Sequence, residues 1–291
     1  MMMRRKFACT LGRCLAAILL LPLLALPAQA QIIDVVGSTT VRALMTPAAE
    51  AYRRAHPEVV IHVAGGGSGV GAAAMLAGRA SIGMMSREPN AAEAAGLRAQ
   101  GVQRVRVAYD AVAVVVSDAL YHRGDIHALK VADIAAIYRG TIRNWQAVGG
   151  PDRNILVIDR VSRSGTHQVF ADHILAGGAV TADAVVVESN PDSQTLLDAS
   201  DQAIAYLPFG AVNDDRIHAV ALLQGGKSYI ADRNSVLSGN YPLRRSLYVL
   251  YKKDAPAYVH DFIHFLRSQA ADPIIRRAGY LPTAHQPSLS R

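Results

Sequence analysis

The run Val63-Ala64-Gly65-Gly66-Gly67-Ser68-Gly69-Val70-Gly71 limits this chain more than any other stretch. The apolar residues Val59 to Val63 before it read as a strand, and the Ala/Met/Leu segment Ala72 to Ala77 after it reads as a helix. Glycine at such a corner lets the backbone turn sharply and come close to a bound group. The first N–H groups of the helix lack intrahelical partners and point outward at its positive end, a geometry that holds an anion. Ser68 is placed to cap the helix or to give its hydroxyl to the same anion. The same glycines would also serve a flexible turn with no ligand. A nucleotide site is disfavoured, because no Lys-Ser or Lys-Thr follows as a P-loop requires.

Two further corners of this kind flank the first. Ile32 to Val36 reads as a strand that enters Gly37-Ser38-Thr39-Thr40, and Val41, Leu44, Met45, Ala48 and Tyr52 follow at helical spacing. Pro47 falls inside that helix and predicts a kink or a short first turn. Ala80 to Met85 reads as a strand closed by Ser86-Arg87, and Asn90 with Glu93 has capping-box spacing for an alanine-rich helix ending near Gly101. In a parallel sheet such corners lie together at the carboxyl edge, where ligands bind.

Val102 to Val116 is a long β-rich stretch suited to carry the chain from one lobe into another, and Leu129–Tyr138 has an amphipathic helical stripe. The pattern then recurs. Asn154 to Ile158 is a strand, Asp159-Arg160-Val161-Ser162-Arg163-Ser164-Gly165-Thr166 is a corner, and His167 to Leu175 is a helix. This corner unites a helix N-terminus, hydroxyls, a glycine and a guanidinium able to fork onto two oxygens. Val185 to Val187 and Ala203 to Leu207 read as strands around a helix at Ser193–Ser200; Pro208 ends the second, which offers a return path to the first lobe. A strand at Leu247–Tyr251 and a helix from about Ala257 to Gln269, with Phe262, Ile263, Phe265 and Leu266 inward, complete the reading.

Arg4, Arg5 and Lys6, the apolar run Leu15 to Leu26 and Ala28-Gln29-Ala30 form a secretory signal peptide pattern with Gln31 as the expected mature start. The leader holds four of the 30 basic residues and no acidic one, so the formal charge of +7 falls to +3 without it. That is no nucleic-acid-binding excess. Both cysteines, Cys9 and Cys14, lie in the leader, which leaves no disulfide and no thiolate metal site in the mature chain. Export in soluble form to an oxidising compartment is the expectation.

In Gly37-Ser38-Thr39-Thr40, Gly65 to Gly69, Ser81 to Arg87, Ile137-Tyr138-Arg139-Gly140 with Asn144-Trp145, Arg160 to Thr166, Ala203 to Tyr206 and Tyr241-Pro242-Leu243, the chain resembles the periplasmic phosphate-binding component of ABC importers. The resemblance spans nearly the whole mature chain and implies an α/β, type II periplasmic-binding-protein fold. Two Rossmann-like lobes would be joined by two crossover strands, with residues 1–30 as leader, 31–112 and 211–291 as lobe 1, and 113–210 as lobe 2. It further implies a periplasmic protein, monomeric, that binds inorganic phosphate without catalysis or cofactor and serves an inner-membrane ABC permease. Carried over by position, Ser38 and Thr39 bind from the first corner, Ser68 from the glycine loop, and Arg160, Ser164, Gly165 and Thr166 from the second lobe. Ser86 stands where many relatives have an aspartate that accepts a hydrogen bond from a protonated phosphate oxygen. A hydroxyl donates as well as accepts, so rejection of sulfate, molybdate or tungstate is expected to be weaker here.

Other readings have less support. An adhesion or scaffold role on the same fold is the rival, whereas a phosphatase lacks a nucleophile–base constellation and no serine stands in Gly-x-Ser-x-Gly. His260 and His264 are spaced like a zinc pair, but Asp261 lies between them and no third ligand is evident, so no metal is expected. Trp145 reads as a packed anchor, Arg87 as a surface charge, and Arg163 as inward or outward with Arg160. Asp34, Asp110 and Asp159 are candidates for holding hydroxyls or Arg160 in place.

Overall fold

A computed structural model of the chain describes residues 31–212 and 216–283. The expected leader and its cleavage point lie outside them. The first part runs β1 (Gln31–Gly37), α1 (Thr39–Ala55), β2 (Val59–Ala64), α2 (Ser68–Leu76), β3 (Ile82–Met85) and α3 (Ala91–Ala99). The long strand β4 (Val102–Ser117) leads to α4 (Asp118–His122), β5 (Ala128–Lys130), α5 (Val131–Tyr138), β6 (Leu156–Arg160) and α6 (Gly165–Ile174). Then come β7 (Val185–Val187), α7 (Asn190–Asp198), β8 (Ala203–Pro208), β9 (Ile217–Ala219), β10 (Ala221–Gln224), β11 (Lys227–Tyr229) and α8 (Arg233–Ser238). The chain closes with β12 (Arg244–Lys252), α9 (Ala257–Leu266), α10 (Asp272–Arg277) and β13 (Leu281–Pro282).

One sheet path runs β2-β1-β3-β12-β4-β8-β6-β7. β1 pairs parallel with β2 and β3, and β6 pairs parallel with β8 and β7. Strand β4 belongs to both halves: Val102–Ala111 pairs with β12, and Val112–Val116 pairs with β8. The corners after β1, β2, β3 and β6 thus lie at the carboxyl ends of parallel strands, facing each other across the crossing strands.

Local chemistry explains the helix starts. Ser38 Oγ accepts from the Val41 amide at 3.3 Å, Asn90 and Glu93 form the expected capping box, and Ser164 Oγ accepts from the amides of Thr166 and His167 at 3.2 and 3.3 Å. Pro47 does not divide α1: the helix is one element, and the carbonyl whose partner the proline removes belongs to solvent-exposed Ala43. Helix α2 begins at Ser68, earlier than the sequence suggested, because packing of Gly71 and Ala72 against the first sheet overrides glycine's poor helix propensity. Gly67, at φ 100°, is therefore the N-cap, and Ser68 is not a cap. Trp145 is fully buried and donates from Nε1 to the Gln202 carbonyl at 3.0 Å, as an anchor should.

Two large cores flank the crossing region. Ile33, Leu44, Met45, Ile82, Val107, Leu247 and Phe262 belong to one; Val114, Tyr138, Trp145, Phe170, Ile204 and Tyr206 belong to the other. Ile217, Leu222, Val236, Tyr241 and Leu243 also pack in the second core. These residues belong to the 211–291 segment that the sequence reading places with lobe 1. Its strand β9 pairs with the Val115–Ser117 end of β4, and β10 pairs with β5, so its apolar faces meet lobe 2. Among the described residues, no helix is long and apolar enough to cross a membrane.

Candidate functional site

The four corners converge. Ser38, Ser68, Ser86, Arg160, Ser164 and Thr166 are each at most 2% exposed. From the first lobe, Ser68 Oγ accepts the Ser86 amide at 3.0 Å and lies 3.3 Å from Ser86 Oγ. From the second, Gly165 opens α6 so close to this pair that a Cβ there would stand 2.3 Å from Ser68 Oγ and 2.6 Å from Ser86 Oγ. Only glycine permits that approach. Gly67 is constrained from the same side: at its positive φ, a Cβ would meet the Arg163 carbonyl oxygen at 2.7 Å. The Gly69 amide donates to that carbonyl at 3.1 Å, and Arg163 Nε donates to the Gly66 carbonyl at 3.0 Å. Arg163 is itself exposed and paired with Glu188, so it latches the two rims and leaves the interior to Arg160.

Arg160 projects from the end of β6. Nε donates to the Val187 carbonyl at 3.3 Å, Nη1 to Asn190 Oδ1, and Nη2 to the Glu188 carbonyl at 2.8 Å and to Thr39 Oγ1 at 3.4 Å. All four acceptors are neutral. Burial pushes the guanidinium down to about 10, with the nearby Arg245 charge acting in the same direction against Tyr206, Asp192 and Glu188. Asp159 meets the backbone amide of Arg160, not its guanidinium. Its carboxylate accepts from the Tyr206 hydroxyl and lies 3.0 Å from His167 Nδ1, while Tyr206 Oη accepts the Arg160 amide at 3.1 Å. Burial raises the Asp159 carboxyl, but the bonds from His167 and Tyr206 outweigh it and hold the group below its ordinary value.

A second buried guanidinium was not anticipated. Arg245 donates from Nε to Asp110 Oδ2 at 2.8 Å, from Nη1 to Thr166 Oγ1 at 3.0 Å, and from Nη2 to Thr40 Oγ1 at 3.2 Å. Thr40 Oγ1 in turn lies 3.3 Å from Thr166 Oγ1 and accepts from Asn190 Nδ2 at 3.2 Å. Arg245, Thr40 and Asp110 thus tie α1, β4, β12 and α6 into one polar cluster. Burial raises the Asp110 carboxyl despite Arg245 and the adjacent amides of Ala111 and Gly210. The signal for Arg245 was in the alternation of β12, where it shares the buried face with Leu247 and Val249. Thr40 likewise shares the inner stripe of α1 with Leu44 and Ala48.

Four side chains fall elsewhere. Asp34 pairs with His62 at the surface. Arg87 is no free surface charge: it forks onto Glu93 at 2.6 and 2.8 Å, with only 11% of its side chain exposed. His260 and His264 ride on α9, where the His260 ring meets Tyr251 edge-on at 5.4 Å.

Comparison with known proteins agrees with this architecture. Residues 25–270 match the PBP superfamily domain. The phosphate-binding protein PstS of Bacillus subtilis is 27% identical over 247 residues, spanning 84% of this chain and 79% of that protein. A Clostridium perfringens structure with bound phosphate superimposes with a TM-score of 0.78 at 27% identity, covering 87% of this chain and all of that one. An ABC-type phosphate transport receptor from Vibrio cholerae gives 0.70 at 30% identity, with 86% of this chain and all of the other covered. The two-lobed α/β sheet, the convergent corners and the breadth of these matches make this chain a member of the PBP superfamily.

Proposed function

We propose that the protein captures inorganic phosphate between its lobes and delivers it to an ABC permease of the inner membrane. The observation that carries this reading is the environment of Arg160. It is a buried cation whose bonded partners are all neutral, set beside the N-termini of α1, α2 and α6. Such a cation is costly to bury alone, and an anion between the helix ends offsets that cost. The proposed ligand set is Ser38, Thr39, Ser68, Ser86, Arg160, Ser164, Gly165 and Thr166, and we add Thr40 and Arg245. The relatives named above support phosphate as the class of anion.

The binding step is lobe closure. We take the lobes as 31–111 with 244–283, and 112–243, following the pairing of β12 and β13 with the first part of β4 and of β8 and β9 with the second. The bonds between Gly69 and Arg163, and between Arg245 and Thr166, form only when these lobes meet. A ligand that bridges both halves binds the closed form better and shifts the population towards it. Capture and release need no covalent step, and the protein acts as an exported, periplasmic monomer.

A second reading, sulfate, molybdate or tungstate in the same cleft, is favoured by one feature. Ser86 brings a hydroxyl, not a carboxylate, to the third corner. A monoprotonated phosphate needs an acceptor for its proton, and hydroxyls supply one less selectively than a carboxylate. Isothermal titration of the exported chain with the four anions decides between them. Saturable heat with phosphate at micromolar protein supports the first reading; none with phosphate but heat with sulfate supports the second.

A further inference from the structure

The far end of lobe 2 carries a different cluster. Asp118 and His122 lie one turn apart on α4, and His218 comes from β9. Asp118 Oδ1 is 3.0 Å from His218 Nε2 and 3.5 Å from His122 Nε2, and the three donor atoms all lie within 4.8 Å of one another. Tetrahedral zinc, with donors at roughly 2.0–2.1 Å, places neighbouring donors about 3.3 Å apart. Both pairs through the carboxylate are already close to that spacing. Tyr121 fixes the imidazoles: its ring stacks on His218 at 4.4 Å and 18°, and meets His122 edge-on at 5.2 Å. Asp118 begins where β4 ends, eight residues beyond Asp110, which is about 25 Å along an extended strand. The cluster is therefore separate from the anion cleft.

We propose that Asp118, His122 and His218 form a binding site for a divalent transition-metal cation of the zinc class. Two imidazoles and one carboxylate are a borderline donor set suited to zinc, and a surface cluster leaves the fourth position to water. The bound ion ties the start of α4 to β9, where the chain re-enters the sheet beside β4. Sequence spacing hides this cluster, since His218 lies 96 residues beyond His122.

The test is titration of the metal-free exported chain with zinc alone, by calorimetry and by competition with a chromophoric chelator. One equivalent should bind, and His122→Ala or His218→Ala should weaken it at least ~10-fold with an unchanged far-ultraviolet circular dichroism spectrum. Should a variant fail to fold, X-ray absorption on the zinc-loaded wild type replaces it. Two imidazole nitrogens and a carboxylate oxygen in the coordination shell support the site. Absence of a stoichiometric site, undiminished binding in the folded double histidine variant, or a shell without imidazole overturns it.

Discussion

Alanine at position 165 adds one methyl group where the lobes touch. Its Cβ would stand 2.3 Å from Ser68 Oγ, 2.6 Å from Ser86 Oγ and 3.1 Å from Ser68 Cβ. Non-bonded heavy atoms rest at roughly 3.5 Å, so the lobes must part by about 1 Å here. Rotating the Ser68 hydroxyl gives little relief. It breaks the bond from the Ser86 amide and leaves Ser68 Cβ in place. A parting of that size stretches the Gly69–Arg163 and Arg245–Thr166 bonds, now 3.1 and 3.0 Å, out of hydrogen-bond range. One neutral bond and one charge-assisted bond together are worth about 2–4 kcal/mol, or a rise of ~30- to ~1000-fold in the Kd for phosphate. Gly165 opens α6 outside the left-handed region, so alanine suits its backbone and leaves the ligand-free melting temperature unchanged or slightly higher. Calorimetric titration reads the first quantity and differential scanning fluorimetry the second. The companion change Gly69→Ala meets Arg163 Cβ at an ordinary 3.4 Å and should alter Kd by less than about threefold. A Gly165→Ala protein binding phosphate within twofold of wild type would refute closure at this contact.

Four further substitutions probe the charges. Arg160→Lys keeps the cation but loses the planar fork that reaches Asn190, Glu188 and Thr39 together, and should raise Kd at least ~10-fold by titration. Arg245→Met leaves the Asp110 carboxylate buried without its cation and should cost about 3–5 kcal/mol in urea unfolding. Adding Asp110→Asn should return much of that loss, and a strictly additive double variant would show the pair is not coupled. Glu93 supplies a pH test. Burial raises its carboxyl, but Arg87 and the Asn90 amide win and hold it below the ordinary value. The folded form therefore binds its proton less readily than the unfolded chain. The pair's stabilisation is complete above the unfolded value of about 4.3 and fades as pH falls through the lowered folded one. Glu93→Gln should accordingly be less stable than wild type by about 1–3 kcal/mol at pH 7, with the gap narrowing below about pH 4 in urea melts.

The parts of this molecule legible in the sequence were those governed by short-range rules. The strand-to-helix corners showed themselves because glycine, capping hydroxyls and apolar periodicity act within a few residues, and α3 took its capping box at Asn90 and Glu93 as written. Where the tertiary fold overrules local preference, the sequence misled. Helix α2 extends back through two glycines to Ser68, and α1 runs unbroken past Pro47. Strand β9 and its neighbours lie C-terminal to the return strand β8 yet pack with the second core, because their partners are the far end of β4 and β5.

The site followed the same division. Hydroxyls next to a glycine corner were visible singly, but Arg245, Asp110 and Thr40 owe their roles to one another across 205 residues of chain, a separation no motif spans. Their arrangement changes how the cleft works electrostatically. Asp110 engages Arg245, so the site proposed above holds one cation with neutral acceptors, Arg160, and one already paired. A site with two unpaired arginines would grip any anion and release it slowly; on the proposed ligand set, partial neutralisation by a buried carboxylate would leave discrimination to the hydroxyls of Ser68, Ser86, Thr40 and Thr166, which can donate or accept according to the protonation of the ligand. Capture strong enough to close the lobes, together with release to a second protein, is what such a graded charge allows.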